Sequence, residues 1–236
     1  MSTQLQGKNI VVTGGLGILG RAVGALLAER GAHVVLLDRA AAPLDPALTM
    51  PNLSAMGSVD LADPLAAAAA FERIAQQLGG IDGLVNVAGG FAWETIEGGS
   101  IATWDRMYGV NLRTTVISSQ AALVHLLAAN KGGARIVNVG ALASVKAGLG
   151  MGAYAASKAA VARFTEALAE ELKDRGVTVN AVLPSIIDTP GNRADMPDAD
   201  VLRWVTPKAL AAVIAFLLSA DGSPITGACL PVAGRV

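Results

Sequence analysis

The sequence contains a single cysteine, Cys229, so no disulfide can form within the chain. It also lacks any apolar run of the roughly 18 to 20 residues that a membrane-spanning helix needs. Its first residues, MSTQLQGKN, contain no apolar stretch of the kind found in a signal peptide. The 18 basic and 19 acidic residues nearly cancel, and no cluster of lysine or arginine marks a nucleic-acid surface. These absences favour the cytoplasm, and they argue against a nucleic acid or a membrane as the main partner.

The sequence is rich instead in small and apolar residues, since 53% of its 236 residues are hydrophobic and 27 are glycine. This length fits one domain that spans residues 1–236. Short β-branched runs alternate with longer helical stretches, which predicts a parallel sheet with helices on both faces. Right-handed crossovers then give an α/β fold, a doubly wound, Rossmann-type sheet with about seven strands.

The individual elements follow from the same alternation. The predicted strands are Asn9–Gly14, His33–Asp38, Leu53–Asp60, Ile81–Gly89, Ala134–Gly140, Val177–Pro184 and Ala228–Gly234. The predicted helices are Gly20–Arg30, Pro64–Leu78, Ile101–Ala129, Gly152–Asp174 and Lys208–Ser219. The least regular region is 185–207, and a long irregular segment beside the carboxyl edge of a sheet is often a substrate lid. We therefore predict a lid at residues 185–207, within the single domain.

A glycine-rich turn separates the first predicted strand from the first predicted helix. It contains Gly14 and the spacing Gly15-x-Gly17-x-x-Gly20, which lets a backbone approach a pyrophosphate at a helix N-terminus. Asp38 ends the second predicted strand, 18 residues after Gly20, where a carboxylate can bind the two ribose hydroxyls of an adenosine. The turn and the acid together predict a dinucleotide site.

Two neighbouring residues bear on the choice of dinucleotide. The carboxylate of Asp38 repels a 2′-phosphate, which favours NAD(H) over NADP(H). Arg39 follows directly, and a guanidinium at that position could hold a 2′-phosphate. The sequence therefore favours NAD(H) as cofactor and leaves NADP(H) open.

Seven motifs in order resemble those of the short-chain dehydrogenase/reductase family over nearly the whole chain. They are Thr13–Gly20, Asp60-Leu61, NVAG at Asn86–Gly89, Asn111, Tyr154 with Lys158, LPSIIDTP at Leu183–Pro190, and ITGACLPVAG near the end. The resemblance implies an NAD(P)-dependent oxidoreductase. It further implies cofactor contacts at Gly14, Gly15, Gly17, Leu19, Gly20, Asp38, Arg39, Asp60, Leu61, Asn86, Ala88, Gly89, Tyr154, Lys158, Pro184, Ile187 and Thr189.

The resemblance makes Tyr154 and Lys158 catalytic, with Asn111 as the residue that holds a water for proton relay. Tyr154 and Lys158 lie four residues apart, on one face of a predicted helix. A nearby ammonium and an oxidised nicotinamide would lower the pKa of the phenol from its usual value of about 10. A tyrosine with such a pKa exchanges a proton near neutral pH. Lys158 could also donate a hydrogen bond to the nicotinamide ribose.

A narrower resemblance concerns the dihydropteridine reductase branch, which GMGAYAASKAAV, AGGF and LPSIIDTPGNRADMPDAD are similar to. That branch carries alanine in place of the family's serine, and here Ala141 stands 13 residues before Tyr154. The serine normally donates a hydrogen bond to the substrate oxygen. Either the substrate is an activated acceptor that needs no donor, or Ser144, Lys146 or Ser185 replaces the serine, or the protein does not catalyse. We rank the activated acceptor first.

The substrate is the least specified part of the prediction. Phe91 and Trp93 could stack on a flat substrate or simply pack beneath the lid, and Met196 and Trp204 would be residues of that lid. The leading hypothesis is a reductase of a small, cyclic carbonyl, imine or quinonoid compound. The alternatives are a 3-oxoacyl or ketone/alcohol reductase and a non-catalytic regulator that senses dinucleotide.

Assembly and metal binding complete the sequence-based predictions. Apolar residues on more than one face of the helices Ile101–Ala129 and Gly152–Asp174, with the family's pairing of these helices, predict a homodimer or homotetramer. The two histidines, His33 and His125, have no ligand-like neighbours in sequence, so no catalytic metal is expected.

Overall fold

A computed structural model of the protein describes residues 5–41, 50–128 and 133–236. The first residues of MSTQLQGKN, most of the proline-rich loop after Asp38, and Ala129 lie outside these ranges. One sheet contains seven parallel strands in the order β3-β2-β1-β4-β5-β6-β7. The strands are β1 Asn9–Thr13, β2 His33–Leu37, β3 Leu53–Met56, β4 Gly83–Asn86, β5 Ala134–Val139, β6 Val177–Pro184 and β7 Cys229–Val232. The predicted doubly wound parallel sheet in a single domain is confirmed.

Successive residues of the strands enter two hydrophobic layers, one on each face of the sheet. In β1, Ile10 and Val12 join the layer that contains α1 (Ile18–Glu29) and α7 (Pro207–Leu218), while Val11 joins the opposite layer. Side chains alternate between faces along a strand, so a strand buried on both faces must be apolar throughout. This is why the strands read as continuous apolar runs in the sequence.

The opposite layer is formed by the remaining long helices. They are α2 Pro64–Leu78, α4 Thr114–Ala128 and α5 Gly152–Leu172. The bounds of α2 are those predicted, because Pro64 occupies its first position and the Asp63 carboxylate caps it by accepting from the amides of Leu65 and Ala66. Among the described residues, no helix has both the length and the apolarity that crossing a membrane requires.

The predicted single helix Ile101–Ala129 is interrupted. The structure has α3 at Ile101–Met107, then a π-helical segment at Tyr108–Arg113, and only then α4. A π-helical turn contains an extra residue and is frequent at functional sites. The apolar periodicity could not reveal it, because one inserted residue shifts the pattern by less than a third of a turn. This π-helical segment carries Asn111 into the core.

The segment 185–207 is more ordered than its sequence suggests. It contains the short helix α6 (Pro190–Asp195), and Ile187 pairs with Val205 in an isolated bridge. The Arg193 guanidinium binds the Asp188 carboxylate through two hydrogen bonds of 2.6 and 2.8 Å. A lid function for this segment stays a proposal.

The apolar residues of α5 that suggested an outer apolar face point into the protein instead. Val161, Leu168 and Leu172 are buried within the chain, and Phe164 is half-buried. On the α4 side, Val124 is exposed. The homodimer or homotetramer stays a prediction, and it now depends on the family resemblance more than on α5.

Candidate active site

A cleft of about 620 Å³ opens at the carboxyl edge of the sheet. It lies where the strand order reverses, because the chain leaves β1 for β2 and β3 and then returns to pair β4 with the other side of β1. Such a switch point is where doubly wound sheets bind their ligands. The cleft is lined by Gly14, Gly17, Ile18, Leu19, Gly20, Asp38, Arg39, Val59, Asp60, Leu61, Ala62, Val87, Ala88, Gly89, Arg106, Gly109, Val110, Thr114 and Thr189.

The glycine-rich turn fits a pyrophosphate because side chains have no room there. Gly14 has a φ of +62°, and a methyl group on it would lie 2.7 Å from the Ala88 amide nitrogen. A methyl group on Gly20 would overlap the Gly14 carbonyl oxygen. Helix α1 begins directly after Gly17, so its free amides and positive dipole end face the cleft. The geometry of the turn is compatible with the predicted pyrophosphate site, which stays a prediction.

Asp38 reaches the cleft and also fixes the glycine-rich turn. One carboxylate oxygen accepts a hydrogen bond from the Leu16 amide at 2.9 Å, and the other accepts from the Ala40 amide at 3.0 Å. Arg39 lines the same cleft and is exposed. Asp38 therefore has a structural contact that the sequence did not indicate.

The other predicted cofactor residues divide into two groups. Those that border the cleft are Leu19, Asp60, Leu61, Ala88, Gly89 and Thr189. Asn86 lies beneath it, because its buried side chain donates to Asn138 Oδ1 at 2.9 Å and to Ser119 Oγ at 3.1 Å. Gly15, Tyr154, Lys158, Pro184 and Ile187 also lie outside the lining of the cleft in the part of the chain described.

Sequence reasoning missed eight lining residues. Val59, Ala62 and Val87 adjoin residues of the predicted motifs, and Ile18 adjoins Gly17 at the start of α1. Their positions next to the motifs could have identified them as lining residues. Four more line the cleft from the end of α3, the π-helical segment and the start of α4: Arg106, Gly109, Val110 and Thr114. No sequence pattern predicts the π-helical segment, so these four residues could not be identified from the sequence.

Tyr154 and Lys158 lie on α5, beside the end of β5. Lys158 is only 6% exposed, and its ammonium donates to the Val139 carbonyl oxygen at 2.8 Å. Burial lowers the pKa of Lys158 to about 8 and raises the pKa of Tyr154 to about 12. The expected lowering of the tyrosine pKa is therefore absent in the protein alone, because desolvation outweighs any attraction from the lysine. Tyr154 is a neutral phenol in this state.

Asn111 joins the two sides of the site through its side chain. Its Oδ1 accepts from the Gly90 amide at 2.8 Å, and its Nδ2 donates to the Gly90 carbonyl at 3.1 Å and to Ser157 Oγ at 2.9 Å. The Ser157 hydroxyl in turn donates to the Tyr154 carbonyl oxygen at 2.7 Å. Both Nδ2 hydrogens are thus used within the protein. The geometry makes Asn111 a link between the segment after β4 and α5.

The position of the family's serine has no hydroxyl. Ala141 is 4% exposed and extended, directly before a short 3₁₀ turn at Leu142–Ser144. Ser144 ends that turn and is half-buried, so it remains a candidate substitute donor. The Ser185 hydroxyl donates its hydrogen to the Ala233 carbonyl oxygen at 2.7 Å, so that hydrogen is already used within the protein. Lys146 is exposed.

The predicted substrate residues lie in different environments. Phe91 packs its ring against Tyr154 in an edge-to-face arrangement, with centroids 4.9 Å apart. Phe91 and Trp93 are 55% and 60% exposed, so neither is packed away beneath a lid. Met196 ends α6 and is half-buried, whereas Trp204 is buried. Within the described ranges, no group of three or more histidine, cysteine or acidic side chains could hold a metal ion.

The two shifted pKa values predict how the unliganded protein responds to pH. Between pH 8 and 10 the unfolded chain keeps the proton on Lys158, whose ordinary pKa is 10.5, while the folded protein loses it. The unfolded state then binds more protons, so stability rises with pH, by about 2 kcal/mol over this interval. Above pH 10 the raised pKa of Tyr154 has the opposite effect, because the unfolded phenol ionises first. Urea unfolding at pH 8 and at pH 10 measures this increase in the free energy of unfolding. The increase should vanish in Lys158→Met, and an equal increase in that variant would show that Lys158 is not its source.

A glycine-rich turn at a switch point, an acid beside it, and a half-buried tyrosine one helical turn from a buried lysine define a dinucleotide-binding oxidoreductase. Residues 8–200 match the family described as short chain dehydrogenase. The chain belongs to this short-chain dehydrogenase family, and it is an NAD(P)-dependent enzyme.

Three similar proteins illustrate the range of the family. A meso-2,3-butanediol dehydrogenase of Serratia marcescens is 35% identical, with 96% of this chain and 93% of that protein covered. A short chain dehydrogenase of Burkholderia cenocepacia solved with NADP has a TM-score of 0.85 at 34% identity, covering 98% of both chains. A 3-ketoacyl-(acyl-carrier-protein) reductase of Brucella melitensis solved with NADH has a TM-score of 0.86 at 28% identity, again covering 98% of both. These relatives give no support to the narrower resemblance to dihydropteridine reductases.

Proposed function

We propose that the protein uses NADH to reduce a small, cyclic carbonyl, imine or quinonoid compound. The observation that supports this substrate class is the buried methyl group of Ala141 at the position of the family's serine hydroxyl. Removing one donor from an oxyanion site typically costs about 10²–10³ in rate. A quinonoid acceptor regains conjugation on reduction, and an imine develops its negative charge on nitrogen, so either one develops less negative charge on oxygen than a ketone does and needs that donor less.

The chemistry balances with one hydride and one proton. Bound NADH supplies the hydride, which carries both electrons to the acceptor atom of the substrate. Tyr154 would deliver the proton to the heteroatom of the same double bond, and its raised pKa keeps that proton available at neutral pH. Lys158 is held near the end of β5 by its hydrogen bond to the Val139 carbonyl oxygen. Its ammonium, together with the positive charge of the oxidised nicotinamide, would lower the pKa of Tyr154 when the cofactor is bound.

A second candidate is an ordinary ketone or secondary-alcohol oxidoreductase. It is favoured by the relatives, which are named as a butanediol dehydrogenase and a ketoacyl reductase. In this case Ser144 would supply the missing hydroxyl, since it lies on the turn that Ala141 begins.

The deciding experiment is NADH consumption with a panel of acceptors. The panel contains simple ketones, a 3-oxoacyl thioester, quinones and quinonoid dihydropterin. The proposal requires turnover of the quinonoid or imine acceptors at rates well above those of simple ketones. A clear preference for ketones would establish the second candidate instead, and the absence of turnover with every acceptor would favour a sensing role.

Cofactor preference gives the next prediction. We expect the protein to bind NADH more tightly than NADPH, because the Asp38 carboxylate lines the cleft and repels a 2′-phosphate. Asp38→Asn removes the charge but keeps an oxygen that can accept from the Leu16 amide, so the preference should narrow by about tenfold while the glycine-rich turn stays ordered. Asp38→Ala removes both features and should weaken binding of both cofactors.

Fluorescence titration of the three proteins with each cofactor measures these effects. Arg39→Ala serves as the companion variant, because Arg39 lines the same cleft and is the residue that could hold a 2′-phosphate. Equal or tighter binding of NADPH by the unmutated protein, with loss of that binding in Arg39→Ala, would show that Arg39 dominates and that NADP(H) is the cofactor.

A further inference from the structure

Trp93 is attached to the loop that precedes the catalytic tyrosine. Gly150 in that loop has a φ of +70°, and a methyl group built on it would overlap the Trp93 indole. The neighbouring Glu94 amide donates to the Gly150 carbonyl oxygen at 2.7 Å. The indole therefore packs directly against a backbone position that only glycine leaves open, and the hydrogen bond between Glu94 and Gly150 fixes the same point. This contact holds the segment after β4 against the start of α5.

The far side of the indole remains open. Trp93 is 60% exposed although it packs against Gly150, and Phe91, two residues earlier, is 55% exposed although its ring contacts that of Tyr154. Leu149, adjacent to Gly150, is also exposed. Exposed apolar surface of this kind, gathered around a reactive group, is typical of a ligand site. Tyr154 fixes where the reacting atoms lie, so the rest of the substrate must lie close to this surface.

We propose that Trp93 is a specificity-determining residue that forms a wall for a flat, apolar ring of the substrate. This inference rests on the proposed function, since it takes Tyr154 as the proton donor. Gly150 sets the position of the wall, because it lets the indole lie against the loop instead of across the site. A planar ring can stack on the indole, whereas a methyl group covers little of it. Substrates that carry a ring beside the reacting carbonyl are therefore preferred over those that carry a methyl group.

Two activated dicarbonyls test the wall. Diacetyl has methyl groups on both sides, and acetylbenzoyl replaces one of them with a phenyl ring. We expect wild-type protein to favour acetylbenzoyl in kcat/KM, and Trp93→Ala to reduce that preference about tenfold through KM, a size in keeping with loss of one apolar contact. Gly150→Ala should reduce the same preference, because its methyl group displaces the indole. Ile96→Ala is the matched control, since Ile96 lies exposed on the same segment, and it should leave the preference unchanged.

Binding without turnover separates this inference from the proposed function. Fluorine NMR with a fluorinated acetylbenzoyl, in the presence of NAD, should show weaker binding to Trp93→Ala than to wild type and Ile96→Ala. One outcome is that wild type turns over both dicarbonyls while Trp93→Ala keeps the same preference for acetylbenzoyl and the same affinity for it. That result would show that Trp93 does not contact the substrate ring, and it would leave the proposed function intact. If wild type turns over no acceptor, the proposed function fails, and the NMR titration still decides whether Trp93 binds the ring.

Discussion

Tyr154→Phe is expected to reduce NADH-dependent turnover by about 10²–10⁴, the contribution that a positioned general acid makes. The substitution removes only the hydroxyl and keeps the ring, so the edge-to-face contact with Phe91 is retained. The loss should therefore appear in kcat, with little change in stability or in cofactor affinity. Single-turnover oxidation of NADH, followed by its absorbance, measures the rate of the chemical step directly.

The protein contains one other tyrosine, which provides the matched control. Tyr108 is exposed on the π-helical segment, so Tyr108→Phe removes a hydroxyl that faces solvent and should leave turnover within about twofold. Titration with NADH should give the same affinity for both variants and wild type. Unchanged turnover in Tyr154→Phe would show that Tyr154 is not the general acid and that water or another group supplies the proton.

Ala141→Ser is the prediction with the next largest effect. For a simple ketone, a serine hydroxyl at this position should raise kcat/KM by up to about 10²–10³, the value of one oxyanion donor. For a quinonoid or imine acceptor it should change little, because little charge accumulates on oxygen. Ala141 is buried and extended, so the added hydroxyl loses water and needs the substrate oxygen as its partner. Parallel kinetics on the two acceptor classes measure the difference.

Ser144→Ala is the control for this second prediction. If the substrate needs no donor, Ser144→Ala leaves the quinonoid reaction unchanged. The opposite result is also clear. If Ser144→Ala abolishes turnover while Ala141→Ser adds nothing on ketones, the hydroxyl has moved three residues along the chain, and the substrate class proposed above loses its main support.

Most of the fold could be predicted because its elements obey local rules. Pro64 and the Asp63 cap define the start of α2, and Gly79, with a φ of 78°, ends it, so this helix was predicted to the residue. The sixth strand, Val177–Pro184, was also predicted to the residue, whereas the other strands were predicted too long at their carboxyl ends. The third strand was predicted to continue to Asp60, but the chain leaves the sheet after Met56, and Val59, Asp60 and Leu61 line the cleft.

The site residues could be predicted from the sequence where only one residue type can do what the site requires. They could not be predicted where a property of the residue depends on neighbours that the fold brings together. Gly14 and Gly20 could be assigned because only glycine permits such close approach. The pKa of Tyr154 could not, because the phenol is desolvated by neighbours that are distant in sequence, and no spacing reports burial. Asn86 belongs to a recognisable motif, yet its amide bonds inside the core with Asn138 and Ser119.

Gly109 illustrates a compromise between a rigid helix and an open binding cleft. It lies in the π-helical segment and lines the cleft, and a methyl group built on it would meet no atom within 4 Å beyond its chain neighbours and the adjacent helical backbone. Alanine would therefore fit, and it would make the helical backbone more stable by roughly 0.5–1 kcal/mol. That methyl group would lie at the wall of the cleft that we propose as the dinucleotide site. On this proposal, glycine at position 109 gives up helix stability in return for room in the cleft, a compromise that is common at sites selected for activity.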